Sequence, residues 1–204
     1  MDCKIELLFP TPIMFNRLDR KLTKKELDFV EFHSNHVYKN SGNVTSNNTY
    51  ILHEPEMKKL HDYLLKTVNI YIDKIIKPKH KVEAFITQSW LNYTKKGEFH
   101  HKHEHPNSFL SGVFYVNADE MQDKITFHRF GYKQLQLATE NYDILNADSW
   151  WFNIKTNDMV IFPSSLTHHV DNVTADKTRI SLAFNTFIKG TLGDSQSLTE
   201  FKNA

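Results

Sequence analysis

The second half of the chain is a succession of short β-branched and aromatic runs, "VEAFITQSWLNYT", "SFLSGVFYV", "KITFH", "DMVIFPSSLTHHV" and "TRISLAFNTFI", each set off by polar or turn-forming residues. Runs of this kind fold as strands, so this half is β-structure. The first third has a different texture. In "LTKKELDFVEFHSNHVY", Thr23 can cap a helix with Glu26 at the capping-box spacing, and Leu27, Val30 and Phe32 supply a partial apolar face. His33 and His36 fall one turn apart there and read as exposed helix-surface histidines. From Pro55 to Lys77, Leu60, Leu64, Val68, Tyr71 and Ile75 recur at steps of four and three, one face of an amphipathic helix that Pro78 must end.

Ahead of the helices, "IELLFPTPIMFNRL" is broken by Pro10 and Pro12 and reads as an edge strand or an extended arm. Between Gly131 and Asn153 aromatics occur without a clean period. That stretch reads as a long excursion from the β-scaffold, of the kind that borders binding sites, with Tyr132, Tyr142, Trp150, Trp151 and Phe152 as a substrate wall or lid. The expected organisation is one domain over residues 1–204, with an arm and helices in 1–80 and a β-core in 82–190.

Charge excludes some partners. Lys and Arg total 25 against 24 Asp and Glu, a net charge of +1, so nothing favours nucleic acid or an anionic membrane. Cys3 is the single cysteine, which excludes an internal disulfide and a Cys-rich zinc site and suits a reducing compartment. No apolar run approaches the roughly 20 residues that span a bilayer, and "MDCKIELLFPTPIMF" lacks the layout of an export signal. The chain therefore reads as cytoplasmic, a monomer or, through exposed strand edges, a homodimer.

The chemistry concentrates in "GEFHHKHEHPNSFLSGVFYV". Side chains two apart share a face of a strand, so His101, His103 and His105 project one way, with His100, Lys102 and Glu104 on the other. Two histidines at this spacing can hold one metal ion. "FPSSLTHHV" offers His168 and His169 as a third ligand at the end of another apolar strand. Imidazole suits iron, zinc, copper and nickel, so the ligands name a metal class and leave open whether His101/His103 or His103/His105 is the pair. Beyond "DNVTADK", read as a hairpin turn, Arg179 and Ser181 share one face of a core-like strand that carries no Asp or Glu. A buried guanidinium beside a hydroxyl is a receptor for a carboxylate, which predicts an acidic ligand. His100, His128 and His169 fall to supporting or surface positions.

Taken together, "SWLNYT", "HEHPNSFLSGVFYV", "FPSSLTHHV" and "RISLAFN" resemble the iron(II)- and 2-oxoglutarate-dependent oxygenases, in particular a bacterial and phage branch marked by His-x-His-Pro, Ser-Gly-Val-x-Tyr, Phe-Pro-Ser before a distal histidine, and Arg-Ile-Ser. The resemblance covers roughly residues 82 to 190, with a weaker echo in "LFPTPI". It implies a mainly β fold with N-terminal helices: a double-stranded β-helix, the cupin-like jelly-roll barrel, with helices packed on one sheet. It also implies His103, His105 and His168 as metal ligands, Arg179 and Ser181 as the pair that holds the distal carboxylate of 2-oxoglutarate, and Asn92 as a further cosubstrate contact. Trp90 and Tyr93 fall in the same motif, with Trp90 expected to pack.

Fe(II), 2-oxoglutarate and dioxygen follow as cofactor and cosubstrates, with ascorbate as a reductant. The implied reaction is hydroxylation of a peptide, amino acid or small molecule. One departure stands out: most of the superfamily uses His-x-Asp or His-x-Glu, whereas the second position here is His105 and Glu104 faces away. Charge does not forbid it, since iron(II) with three imidazoles and a 2-oxoglutarate dianion is neutral. Two alternatives fit the same residues. A three-histidine cupin-type dioxygenase would need no 2-oxoglutarate, and a non-catalytic metal- or ligand-binding jelly roll would bind without turnover.

Overall fold

The computed structural model describes residues 2–131, 135 and 137–203. Before the β-core come strand β1 (Met14–Arg17), helix α1 (Lys24–Ser34), a hairpin of β2 (Val37–Lys39) and β3 (Val44–Ser46), and helix α2 (Lys58–Tyr71). The core comprises β4 (Val82–Thr94), β5 (His100–His103), β6 (Leu110–Asn117), β7 (Lys124–His128), β8 (Ser149–Asn153), β9 (Asp158–Pro163), β10 (His168–Val170), β11 (Arg179–Leu192) and β12 (Phe201–Asn203). The strands make two antiparallel sheets. The larger runs β1-β9-β6-β11-β4-β3-β2, with β12 beside β11, and the smaller runs β5-β10-β7-β8. This is the jelly roll that the resemblance implies.

Alternation along each strand divides the core in two. Leu182 and Phe184 of β11, Leu91 and Tyr93 of β4, Phe114 and Val116 of β6, and Met159 and Ile161 of β9 face the helices, where Leu60, Leu64, Val68 and Tyr71 of α2 bury completely or nearly so. The opposite faces of β6 and β9 give Tyr115, Val160 and Phe162, which meet Ile125 and Phe127 of β7 inside the barrel. Arg179, Ser181 and Asn92 fall on that inner parity, which sends polar side chains into the space between the sheets.

The helices follow local chemistry with two adjustments. Thr23 caps α1 in a reciprocal box with Glu26, whose buried carboxylate also takes two hydrogen bonds from Arg20 at 2.7 and 2.6 Å. The face of α1 turned inward is Glu26, Val30 and His33, at steps of four and three, so Leu27 and Phe32 are exposed and His33 is a buried residue rather than a surface one. At the end of α2 the backbone widens into a π-turn over Ile72–Ile76. The wider turn breaks the 3.6-residue period: Ile72 is buried, whereas Ile75 is 43% exposed. Lys77, at φ 51°, ends the helical run before Pro78.

Two connections differ from expectation. The excursion after Gly131 ends in a strand, β8, paired to β7 along its whole length; "SWWFN" hides it because continuous aromatics carry no alternation. Tyr132 lies outside the described residues. The segment between Val170 and Arg179 is not a hairpin, because β10 belongs to the small sheet and β11 pairs with β4 and β6 in the large one. Among the described residues no helix is long and apolar enough to cross a membrane.

Gly112 illustrates how tightly the large sheet packs. It lies opposite Phe184 in the β6–β11 ladder, and a Cβ there would stand 2.2 Å from the Phe184 ring. Phe184 is almost wholly buried and has nowhere to retreat. Gly112→Ala is expected to cost roughly 2–3 kcal/mol by overpacking, read as a lowered midpoint in denaturant unfolding. A midpoint within error of wild type would mean that the sheet gives way more easily than this packing allows.

Candidate metal centre and its anion pocket

The small sheet gathers the imidazoles. His103 ends β5 and His168 opens β10, and the two are direct partners in the ladder. Each ring is oriented from behind: His103 Nδ1 donates to the His101 carbonyl at 2.7 Å, and His168 Nδ1 donates to the Leu166 carbonyl at 3.0 Å. Fixing the proton on Nδ1 leaves Nε2 as a lone-pair donor in both rings. His105 lies just beyond β5, and its Nε2 comes to 3.4 Å from His168 Nε2. Ligand atoms of His103, His105 and His168 all fall within 4.8 Å of one another. Nitrogens that share one ion at about 2.1 Å each must stand roughly 3 to 3.4 Å apart, so the His105–His168 separation is that of neighbouring donors on one centre.

Burial keeps these rings neutral. Loss of hydration lowers the pKa of His168 to about 2 and that of His105 to about 4, and it lowers His103 as well. Neutral imidazole is the ligating form, so the site is ready for a cation near neutral pH without shedding protons. Among the described residues no carboxylate joins the group. Glu104 is exposed and accepts a hydrogen bond from Thr167 Oγ1, which turns it away from the triad as its strand parity requires.

Facing the triad across the barrel stand the residues of the large sheet. Arg179 at the start of β11 is only 3% exposed, Ser181 is buried two residues on, and Asn92 and Trp90 of β4 line the same cavity with Tyr115 and Val113 of β6. Burial pulls the Arg179 pKa down, and nearby Tyr115 and Asp123 oppose that. The guanidinium stays charged. Asp123 Oδ1 is 3.8 Å from Arg179 Nη1, beyond hydrogen-bond reach, while Asp123 Oδ2 already accepts the Asp119 N–H at 2.7 Å. Asn92 Oδ1 accepts from Thr45 Oγ1 at 2.9 Å, and Trp90 tilts against His105 with ring centroids 5.7 Å apart.

Several positions were not visible in the spacing. His100, expected to face away, lines the cavity with Arg179. The reason is a ladder irregularity: His168 pairs with His103 but Val170 pairs with His100, so β5 carries one extra residue and the two-residue parity fails. His100 Nδ1 meets Asn43 Nδ2 at 3.0 Å, and burial lowers its pKa to about 3. His100, His101 and His103 form a second close group, but it shares His103 with the first. His128 and His169 form a separate chain, His128 Nε2 to His169 Nδ1 at 2.8 Å and His169 Nε2 to Asp171 Oδ1 at 3.0 Å. Trp150 and Phe152 border a groove of about 650 Å3 with the arm residues Leu8 and Phe9, and Tyr142 and Trp151 are exposed.

Fold and site together define a jelly-roll protein that gathers candidate metal ligands on one sheet opposite a buried cation on the other. Comparison with known proteins finds a similarity over the segment that holds this site. The sequence model of the 2OG-Fe(II) oxygenases matches residues 88–185, a span holding the three histidines, Arg179 and Ser181. This stretch of the chain is similar to the iron(II)- and 2-oxoglutarate-dependent oxygenases. A sequence comparison with curated proteins found no match.

Solved structures share the fold at low identity. HygX from Streptomyces hygroscopicus, with nickel, 2-oxoglutarate and hygromycin B bound, is 11% identical over 86% of this chain and 82% of its own, with a TM-score of 0.58. A prolyl-4-hydroxylase from Pseudomonas putida is 10% identical over 86% and 92%, at 0.54. An oxidoreductase of the 2OG-Fe(II) oxygenase family from Burkholderia pseudomallei is 11% identical over 79% and 76%, also at 0.54.

Proposed function

We propose that the protein is a non-haem iron(II)- and 2-oxoglutarate-dependent dioxygenase, a hydroxylase acting on a C–H bond of a peptide, amino acid or small molecule. The observation that carries the reading is the convergence of three neutral imidazoles across a barrel from a buried arginine. His103, His105 and His168 would hold the ion, a nitrogen donor set suited to a divalent first-row metal. Iron(II) held there supplies oxygen activation, with 2-oxoglutarate giving up two electrons as it is oxidised to succinate and carbon dioxide.

The chain's own residues then have three tasks. Arg179 and Ser181 receive the distal carboxylate of the diacid and so fix its orientation. Asn92, held through its Oδ1 by Thr45, offers its amide to the same cavity. Val113, Ile125 and Tyr115 wall the cavity and keep water from it. As placed, the lining side chains leave about 40 Å3, room for about one water. The half-exposed rim side chains, Trp90 among them, therefore have to turn aside as the diacid enters.

Members of this fold differ in outcome; one solved neighbour is an α-ketoglutarate-dependent epimerase. The test is to supply the purified protein with iron(II), ascorbate and 2-oxoglutarate and to measure succinate. Succinate formed in step with 2-oxoglutarate loss supports the reading. Oxygen uptake that ignores 2-oxoglutarate would indicate the three-histidine dioxygenase, and metal binding with neither reaction a non-catalytic barrel.

A further inference from the structure

The three candidate ligands are not held alike. His103 and His168 are strand residues paired with each other, and each ring is tied through Nδ1 to a carbonyl of its own segment. His105 has left the strand. Its segment turns through Pro106 and Asn107, the latter at a left-handed φ of 55°, and its backbone N–H donates to the carbonyl of Ser164 at 3.0 Å.

Ser164 is itself the centre of a row of side chains that the proposed chemistry leaves unused. Its Oγ lies 2.7 Å from Ser108 Oγ and 2.8 Å from Ser111 Oγ, and Ser111 Oγ lies 2.9 Å from Asn185 Oδ1. Ser111 and Ser164 are 1% exposed. The row therefore joins the loop after β5, the start of β6, the end of β9 and the middle of β11, four separate pieces of chain. Ser108 also accepts the Thr186 N–H at 3.3 Å, and Phe109 N–H donates to the Thr186 carbonyl at 2.9 Å, so both ends of the 104–109 segment are pinned to the large sheet side. Hydroxyls buried this deeply need partners, and a row that satisfies each through the next rigidifies as a unit. Ser111, Ser164 and Asn185 are the polar residues of "SGV", "FPS" and "FN", and the side-chain hydrogen bonds of Ser111 and Ser164 run within the row.

We infer that Ser108, Ser164, Ser111 and Asn185 are positioning residues for His105: they hold the one ligand outside the strand ladder at the spot where its Nε2 meets that of His168. The inference rests on the proposal that His105 is a metal ligand. Outer residues that orient ligands commonly shift metal affinity by about 10- to 100-fold when removed, and the same range is expected here.

The experiment compares cobalt(II) binding to wild type, Ser111→Ala, Ser108→Ala and Thr67→Val. Thr67 is a buried hydroxyl on α2 that donates to the Tyr63 carbonyl, remote from the histidines, and controls for loss of a buried hydrogen bond alone. Affinity, the ligand-field absorption spectrum and the melting temperature of the metal-free protein are measured on each. The expected result is a loss of roughly tenfold or more in affinity, with an altered spectrum, for both serine variants, and wild-type affinity and spectrum for Thr67→Val. Ser108 is the less buried of the two serines, so its variant gives a reading even where Ser111→Ala fails to fold. Folded serine variants that bind cobalt(II) with wild-type affinity and spectrum would overturn the inference, whatever their melting temperatures. Wild type that binds no cobalt(II) would sink the metal assignment itself, and the positioning role with it.

Discussion

Arg179→Ala should weaken 2-oxoglutarate binding by 100-fold or more while leaving cobalt(II) binding within a few-fold of wild type. The guanidinium is the buried cation facing the triad, and removing one partner of a desolvated, hydrogen-bonded charge pair costs about 2–5 kcal/mol. If the contact proposed for Arg179 is to the distal carboxylate, a 2-oxo acid with a single carboxylate should bind wild type and variant alike. The same substitution also bears on stability. It strands Asp123, a buried carboxylate whose pKa burial already raises and the proximity of Arg179 restrains. Asp123 keeps the hydrogen bond from the Asp119 N–H but loses the neighbouring positive charge, which costs on the order of 1–3 kcal/mol. Arg179→Ala combined with Asp123→Asn should recover much of that stability and none of the 2-oxoglutarate affinity. Full affinity in the folded single variant would remove the arginine from the site.

Acid should unfold the metal-free protein sooner than its carboxylates alone require. The buried histidines have depressed folded-state pKa values, about 2 for His168, 3 for His100 and 4 for His105. The unfolded chain therefore binds protons that the folded chain refuses. Their stability contribution is whole above the unfolded value near 6.5 and is lost as the pH falls below it. His168, the most buried, accounts for about 2 kcal/mol between pH 7 and 5, and with the half-buried pair discounted for solvent the total is on the order of 4 kcal/mol. Asp123, shifted upward, acts in the opposite sense but only nearer the carboxylate range. Denaturant unfolding of metal-free protein at both pH values measures the loss. Stability that is flat over this window would mean that the rings are hydrated and protonate freely.

Much of this arrangement is written in local pattern. The strands of the second half, the Thr23 cap and the Leu60 to Tyr71 stripe follow from alternation, capping chemistry and helical period, and the structure shows each of them. What escaped depends on pairing between distant segments. The extra residue that turns His100 inward exists only in the ladder between β5 and β10. The crossing from β10 to β11 takes Arg179 to the other sheet, where the seven residues "DNVTADK" looked like a hairpin turn. Asp123 approaches Arg179 from another connection altogether, and no spacing rule links the two. His33 is buried because the face of α1 is chosen by what it packs against, not by which of its residues are most apolar.

The most direct test is calorimetric titration of 2-oxoglutarate into metal-free and cobalt(II)-loaded protein, with His168→Ala treated in the same way. The expected result is one tight cobalt(II) per chain that depends on His168, and one 2-oxoglutarate per chain that binds the loaded protein far more tightly than the metal-free form. Equal 2-oxoglutarate binding with and without the ion, or an undiminished ion in His168→Ala, would contradict it.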